Sequence, residues 1–241
     1  MIKSLRKKYL KESFNPSLLG VFINPFYIIR RSIWESIKND APFLKGKLLD
    51  FGCGSKSYKE LFQVTEYIGL DVEQSGHSHE NEEVDVFYDG KNIPFPNDTF
   101  DSCFSSEVFE HVFELNESLQ EIFRVLKPGG TCLFVVPFVW DEHEIPYDFG
   151  RYSSFGLRHL LVKQGFQIEN WRKDTHFVQV LGQLTCLYLF NIGPKNKFLK
   201  VLYNIIIISP FTLLSILLAF LLPKKDSLYF NNVVRVRKPL E

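Results

Sequence analysis

Asp50, Gly52, Cys53 and Gly54 close an apolar run at 48–51, and Asp71 closes a second one, Tyr67-Ile68-Gly69-Leu70, roughly seventeen residues further on. Glycines at the carboxyl end of a strand let backbone N–H groups approach a ligand with no Cβ in the way. A strand-end carboxylate at about that distance is the usual partner of ribose hydroxyls. The chemistry these residue types support is recognition of a nucleoside-type cofactor. Ser57 stands where a dinucleotide fingerprint has its third glycine, and no Gly-Lys-Ser/Thr follows in phosphate-loop spacing, so nicotinamide and nucleoside triphosphates fit poorly. A carboxylate inside the turn, Asp50, favours a ligand with a cationic group and no phosphate to be repelled.

A second concentration of titratable groups lies at 137–152, which reads Pro137-Phe138-Val139-Trp140-Asp141-Glu142-His143-Glu144-Ile145-Pro146-Tyr147-Asp148-Phe149-Gly150-Arg151-Tyr152. Cys53, Cys103, Cys132 and Cys186 are far apart with no C-x-x-C, so a reduced, cytoplasmic chain is expected. No metal-ligand spacing is present and no metal is expected; His77-Ser78-His79 reads as a solvated loop and His111 as a buried, hydrogen-bonded histidine.

The elements that must position these groups alternate. A helix over 26–39 precedes strand 48–51, a helix near 57–64 and strand 67–71. Strand 84–88, strand 100–105, helix 115–126 and strand 131–136 follow, with Lys127-Pro128-Gly129-Gly130 as the stop between the last two. Helix 153–164, strand 166–172 and a closing strand at 233–237 complete the pattern. It predicts an α/β fold: a doubly wound, mostly parallel seven-stranded sheet with an antiparallel last strand. Three parts are expected: a helical leader over 1–40, a cofactor-binding domain over 41–173 and 232–241, and an apolar helical insert over 174–231.

The 28 basic and 28 acidic residues balance, so nucleic acid is not an expected partner. Lysines crowd the first dozen residues and flank the insert, which points to an anionic surface. The basic start lacks a small-residue cleavage site, which argues against a secretory signal. Residues 201–222 carry no charge and are long enough to span a bilayer. Both ends of the insert should rejoin one sheet, however, and Ser209-Pro210 is expected to split the run into pieces reaching only ~12 and ~20 Å. Expected alternatives are a shallow monotopic hairpin, a cap over the acceptor site or a homodimer interface. Peripheral contact at the inner face of the cell membrane, through 198–225 and the basic N-terminus, is favoured.

Leu49-Asp50-Phe51-Gly52-Cys53-Gly54 resembles the first motif of class I S-adenosylmethionine-dependent methyltransferases, of the type 11 kind, and further motifs follow in register. Gly69-Leu70-Asp71 resembles the ribose-binding acid. Asp89-Gly90, with Ile93-Pro94-Phe95 and Phe100-Asp101 after it, is similar to the segment whose acid meets the adenine amino group. Ser105-Ser106-Glu107-Val108-Phe109-Glu110-His111-Val112 resembles the motif beside the methionine part of the cofactor, and 121–130 the helix and turn before the fifth strand. The resemblance implies S-adenosyl-L-methionine held by Asp50, Gly52, Cys53, Gly54, Asp71, Asp89, Gly90, Ser106 and Glu107.

The 137–152 loop is similar to an E-H-x-x-P-x-D-x-x-R-Y loop of a subset linked to cell-surface glycan and lipid pathways, and 19–26 resembles leaders of that subset, expected to act as a lid or to cap a sheet edge. On a small-molecule or lipid-linked glycan acceptor, a nitrogen or thiolate needs little beyond in-line positioning, whereas a hydroxyl needs a base. His143 is the candidate, since an ordinary imidazole near pKa ~6.5 is largely neutral at pH 7. Asp148 would orient it, with Arg151 and Tyr152 holding the acceptor; the plainer alternative is an Asp148–Arg151 ion pair tying the loop down. A non-catalytic, cofactor-binding membrane adaptor and an NAD-dependent oxidoreductase are the competing readings. The second of these also lacks a Tyr-x-x-x-Lys pair.

Overall fold

The computed structural model describes residues 12–73 and 83–240, which leaves His77, His79 and the basic start of the chain outside the described residues. The chain divides into two compact units, one of residues 36–172 and 231–241 and one of residues 1–35 and 173–230.

The first unit carries the sheet. In chain order its strands are β1 (Lys47–Phe51), β2 (Glu66–Val72), β3 (Val86–Tyr88), β4 (Phe100–Ser106), β5 (Leu126–Pro137), β6 (Gln167–Lys173) and β7 (Asn231–Arg237). They lie in the order β3-β2-β1-β4-β5-β7-β6. β1 pairs in parallel with β2 and β4, and β4 in parallel with β5. β7 runs antiparallel to β5, from Thr131↔Arg237 to Pro137↔Asn231. This is the expected doubly wound sheet with its reversed last strand. Strand order changes direction between β1 and β4, and in open α/β sheets the crevice at the carboxyl ends of such strands binds ligands.

The core explains the pattern. Leu49, Phe51, Phe100, Phe134 and Val234 project from the sheet onto Leu119 and Ile122 of a helix, Leu115–Val125, and onto Leu157 and Leu161 of another, Ser154–Lys163. Ser153 starts the second of these, its hydroxyl accepting from the Gly156 N–H. Asp40, fully covered at the end of the helix Tyr27–Asp40, pairs with Arg172 and with Arg235 at 2.7 Å, and Arg235 also reaches Glu169 at 3.2 Å. A buried carboxylate is tolerated there because two guanidinium groups converge on it.

Two expectations are corrected. The helix near 57–64 is a single 3₁₀ turn, Lys59–Leu61. Lys56 adopts a left-handed backbone, φ 51°, and its chain crosses Gly69 to reach Asp85 Oδ2 at 2.6 Å, while Tyr58 and Phe62 turn onto Phe104. The chain is thus pinned from both sides and no amphipathic helix forms. The fifth strand begins at Leu126 rather than 131: its pairing with β4 jumps from Phe100↔Leu126 to Ser102↔Thr131, so 127–130 bulge out of the ladder with Gly129 at φ 78°.

In the second unit the insert is a helical hairpin. We label its arms αA (Phe177–Ile192) and αB (Lys197–Leu221). αB is continuous, which overturns the split expected at Ser209-Pro210. A π turn over Asn204–Ile208, closed by the Ser209 N–H on the Asn204 carbonyl, shifts the hydrogen-bond register just before Pro210, so the missing N–H and the ring are absorbed without a break. The 25 residues reach about 37 Å at 1.5 Å each. The arms approach closely through small residues: a Cβ on Gly182 would lie 2.0 Å from Ser215 Oγ, and Cys186 meets Thr212 at 3.4 Å. The leader belongs to this unit. Gln183 on αA accepts the Ile28 N–H and donates to the Pro25 carbonyl, Asn204 on αB donates to the Phe22 carbonyl, and Phe26 stacks edge-on against Phe190.

Candidate active site

The turn after β1 is built by hydrogen bonds that leave little choice of residue. The N–H groups of Gly52 and Cys53 both donate to the Leu70 carbonyl of β2, and the Gly54 N–H donates to Asp71 Oδ2 at 2.8 Å. Gly52 has φ 72°, and a Cβ there would lie 2.4 Å from Val108, so a side chain is excluded by both backbone and space. Asp71 also takes its neighbour Val72's N–H, which fixes its carboxylate at the strand end.

Asp50 is buried beneath this turn, and Tyr67 donates its hydroxyl to Oδ2 at 2.5 Å. Burial raises its pKa to about 7, against the lowering effect of the Tyr67 hydrogen bond. A buried carboxyl that close to neutrality gains from a cation brought beside it. Cys53 is buried with its sulfur against Gly69, and burial pushes the thiol's pKa up, so it packs as a small apolar residue and not as a nucleophile.

Asp89 lies on the surface and caps its own turn, accepting the Lys91 and Asn92 N–H groups at 2.8 and 2.9 Å. Those bonds lower its pKa. Gly90 follows at φ 80°. At the end of β4, Ser106 has a covered hydroxyl with no hydrogen-bond partner, and Glu107 takes φ 57° while its N–H donates to the Val135 carbonyl of β5.

The 137–152 loop leaves the carboxyl end of β5, next to that of β4, and is tied to the segment after β4: the N–H groups of Phe149 and Gly150 both donate to the Glu110 carbonyl. Asp148 is its centre. It accepts the His143 N–H at 2.9 Å, lies 3.3 Å from His143 Nδ1, and receives Arg151 on both oxygens at 2.6 and 2.8 Å. Burial opposes its ionisation, but Arg151 and His143 outweigh it and hold the pKa at about 2. Arg151 also donates to the Gly150 and Asp141 carbonyls, while its covered Nε has no hydrogen-bond partner among the described residues. The Asp148–Arg151 ion pair that ties the loop down is thus present, and the same carboxylate contacts His143. Tyr152 packs against the core with its ring over Gly150, and its carbonyl accepts from Asn232.

Lys56 and Asp85 are absent from the sequence reading, and Glu110 and His111 enter it only within the motif at 105–112 and, for His111, as a buried histidine. Lys56 and Asp85 form the 2.6 Å pair above, with Asp85 also accepting the Gly69 N–H. Glu110 is fully buried, and neither carboxylate oxygen takes a hydrogen bond from another of the described residues; burial first and Glu107 second raise its pKa well above the usual carboxylate range. Its neighbour His111 stacks edge-on against His143 with ring centroids 4.8 Å apart. One donor atom each from Glu110, His111 and His143 lies within 4.8 Å of the others. Positions 110–111 and 143 have no ligand-like spacing in sequence, which is why the cluster was not foreseen.

This fold is that of class I methyltransferases, and residues 49–134 match a family model described as methyltransferase domain. Over 94 residues the chain is 30% identical to malonyl-[acyl-carrier protein] O-methyltransferase of Erwinia pyrifoliae, covering 36% of each chain. It spans about a third to half the length of the first curated relatives it matches. Among solved structures, an S-adenosylmethionine-dependent methyltransferase of Mesorhizobium loti superposes with TM-score 0.52 at 15% identity, over 87% of this chain and 99% of that one. Phosphoethanolamine N-methyltransferase 2 of Haemonchus contortus, in complex with S-adenosyl-L-methionine, superposes with TM-score 0.54 at 17% identity, over 96% of this chain and 59% of that one.

Proposed function

We propose that this chain is an S-adenosylmethionine-dependent methyltransferase acting on a hydroxyl of a small-molecule or lipid-linked glycan acceptor at the inner face of the cell membrane. The observation that carries the methyltransferase reading is the turn after β1, where Gly52 and Gly54 bring backbone to the cleft beside the strand-end acid Asp71, above a buried Asp50 that favours a cationic ligand. The residues fit the cofactor: the turn excludes a Cβ at Gly52, and Ser105 and Ser106 at the end of β4 have covered hydroxyls without hydrogen-bond partners among the described residues. When bound, the cofactor supplies a sulfonium-activated methyl group.

The chain's own work is positioning and proton handling. Asp71 meets the ribose hydroxyls, Asp89 the adenine edge, and Ser106 and Glu107 the amino-acid part. The loop from β5 excludes water and presents His143, whose Nδ1 faces Asp141 and Asp148, so that Nε2 is the nitrogen able to take an acceptor proton and Asp148 stabilises the resulting imidazolium. The loop's density in aromatic and titratable groups supports this reading over a cofactor-binding adaptor. The apolar hairpin, with αB long and uncharged along most of its length and both arms returning to one sheet, supports a monotopic membrane contact, with a homodimer interface as the second reading.

Calorimetry with S-adenosylmethionine and with NAD tests the cofactor. We expect micromolar binding of the first and none of the second; NAD binding alone would overturn the reading. Comparing lipid and glycan extracts of cells with and without the gene should then show one species that loses a methyl group.

A further inference from the structure

We propose that Glu110, His111 and His143 form a binding site for a divalent transition-metal ion, at the mouth of the cleft where the acceptor must sit. The first support is the way the two imidazoles are held. His111 Nδ1 lies 2.7 Å from the Tyr147 carbonyl and His143 Nδ1 lies 3.2 Å from the Asp141 carbonyl. A carbonyl can only accept, so Nδ1 carries the proton in both neutral rings and Nε2 carries the lone pair. Metal-ligating histidines are oriented in just this way, with the far nitrogen donating to a carbonyl or carboxylate. Asp148, 3.3 Å from His143 Nδ1, adds the carboxylate version of the same support.

The second support is independent of the histidines. Glu110 is completely buried, neither of its oxygens takes a hydrogen bond from another of the described residues, the nearby charge of Arg151 and its own N–H offset only part of that burial, and Oε1 lies 3.8 Å from His111 Nε2. A buried carboxyl without partners is costly to retain. A cation between Oε1 and the two Nε2 atoms removes that cost. Glu144 Oε2, 3.9 Å from the same His111 Nε2, lies at the rim of the cluster.

Two imidazoles and one carboxylate suit zinc, iron(II), cobalt or manganese, and three protein ligands leave positions open, the pattern of catalytic and not of structural sites. Donor atoms around an ion with bonds near 2.1 Å stand about 3.4 Å apart, so a cluster whose donor atoms lie within 4.8 Å of one another has to draw in slightly to hold one. A hydroxyl coordinated there would have a lowered pKa; as its oxygen bonds the methyl carbon and the donor's carbon–sulfur bond breaks, its proton would pass to the Glu144 carboxylate at the rim. That role rests on the methyltransferase reading; the metal site does not. With the ion in place His143 Nε2 is a ligand, and acceptor activation passes from the imidazole to the cation.

The test uses the full chain, stripped with a chelator and then titrated with Zn²⁺ by calorimetry and with Co²⁺ by visible absorption, with elemental analysis after dialysis. We expect close to one equivalent bound at micromolar affinity or better, with cobalt ligand-field bands. Glu110→Gln, which keeps the shape of the buried side chain, and His143→Ala, on the loop, should each weaken binding at least tenfold. A His77→Ala/His79→Ala variant should bind as the parent does. No retained metal, or equal binding by E110Q and H143A, or loss of binding in the His77/His79 variant, would overturn the proposal. S-adenosylmethionine calorimetry on the same stripped protein separates the two claims: metal without cofactor binding defeats the methyltransferase reading alone, and cofactor without metal defeats this one alone.

Discussion

Asp50 shows how a single side chain links folding to ligand binding. An aspartate in the unfolded chain titrates near 3.8, while burial raises this one to about 7 in the folded chain. The folded state therefore holds its proton more tightly, and the stability of the cofactor-free protein falls as pH rises between those two values. A cationic ligand favours the ionised form, so binding lowers the pKa again and expels a proton wherever Asp50 starts out protonated. We expect S-adenosylmethionine affinity to rise with pH up to about 7 and then level off. Calorimetry at pH 6 in buffers of different ionisation enthalpy should show proton release, which disappears at pH 8.5 and in Asp50→Asn. An affinity independent of pH between 5.5 and 8 would show that Asp50 does not sense the ligand's charge. The turn glycines, Asp50 and Asp71 were all legible in the sequence, because close backbone approach and ribose recognition each demand one residue type at one end of a strand. Lys56, Asp85 and Glu110 were not, since their significance lies in partners, or in the lack of them, contributed by other strands and loops.

At the scale of the element, the 137–152 loop is held by backbone bonds to the Glu110 carbonyl and, at its centre, by one ion pair. Asp148 is nearly covered and meets both Arg151 nitrogens. Removing one partner of such a pair strands the other and costs about 3–5 kcal/mol. Here the cost falls on the loop, because Asp148 also carries the His143 N–H. Arg151→Ala should raise amide exchange across 137–152 by at least tenfold and lower turnover strongly, with S-adenosylmethionine affinity unchanged within about twofold. Arg151→Lys should not rescue it, since a single ammonium cannot replace a two-pronged contact. Unchanged exchange in the loop would show that its aromatic packing, and not the pair, holds it. The expected strands and most helices were read within a few residues from apolar runs and stop signals. The helix near 57–64 was misread because the left-handed Lys56 and its long-range ion pair override a weak local pattern. The break at Pro210 was misread because a π turn, invisible in hydropathy, absorbs it.

For the whole molecule, the hairpin poses a question of solvent. αB has mean hydropathy 2.3 over its most apolar stretch, yet only 33% of that stretch is buried within the chain. Phe198 and Phe220 are 77% and 85% exposed. Exposed apolar surface on this scale marks a contact with membrane or protein. We expect the full chain to float with anionic vesicles in a density gradient, and a Phe198→Glu/Phe220→Glu variant to remain below while binding S-adenosylmethionine as before. If the parent does not float and instead sediments as a dimer that the same variant dissociates, the face is an interface between copies.

The sequence by itself determined the sheet, its reversed last strand and the glycine turn with its neighbouring acids, because these follow from strand-length apolar runs and from residue types that local backbone geometry demands. The tertiary structure alone decided that Asp148 contacts both His143 and Arg151, that Glu110 and His111 meet His143, and that the leader packs with the insert. Such outcomes depend on which distant segments meet, and on whether each buried polar atom then finds a partner, neither of which is encoded in spacing along the chain.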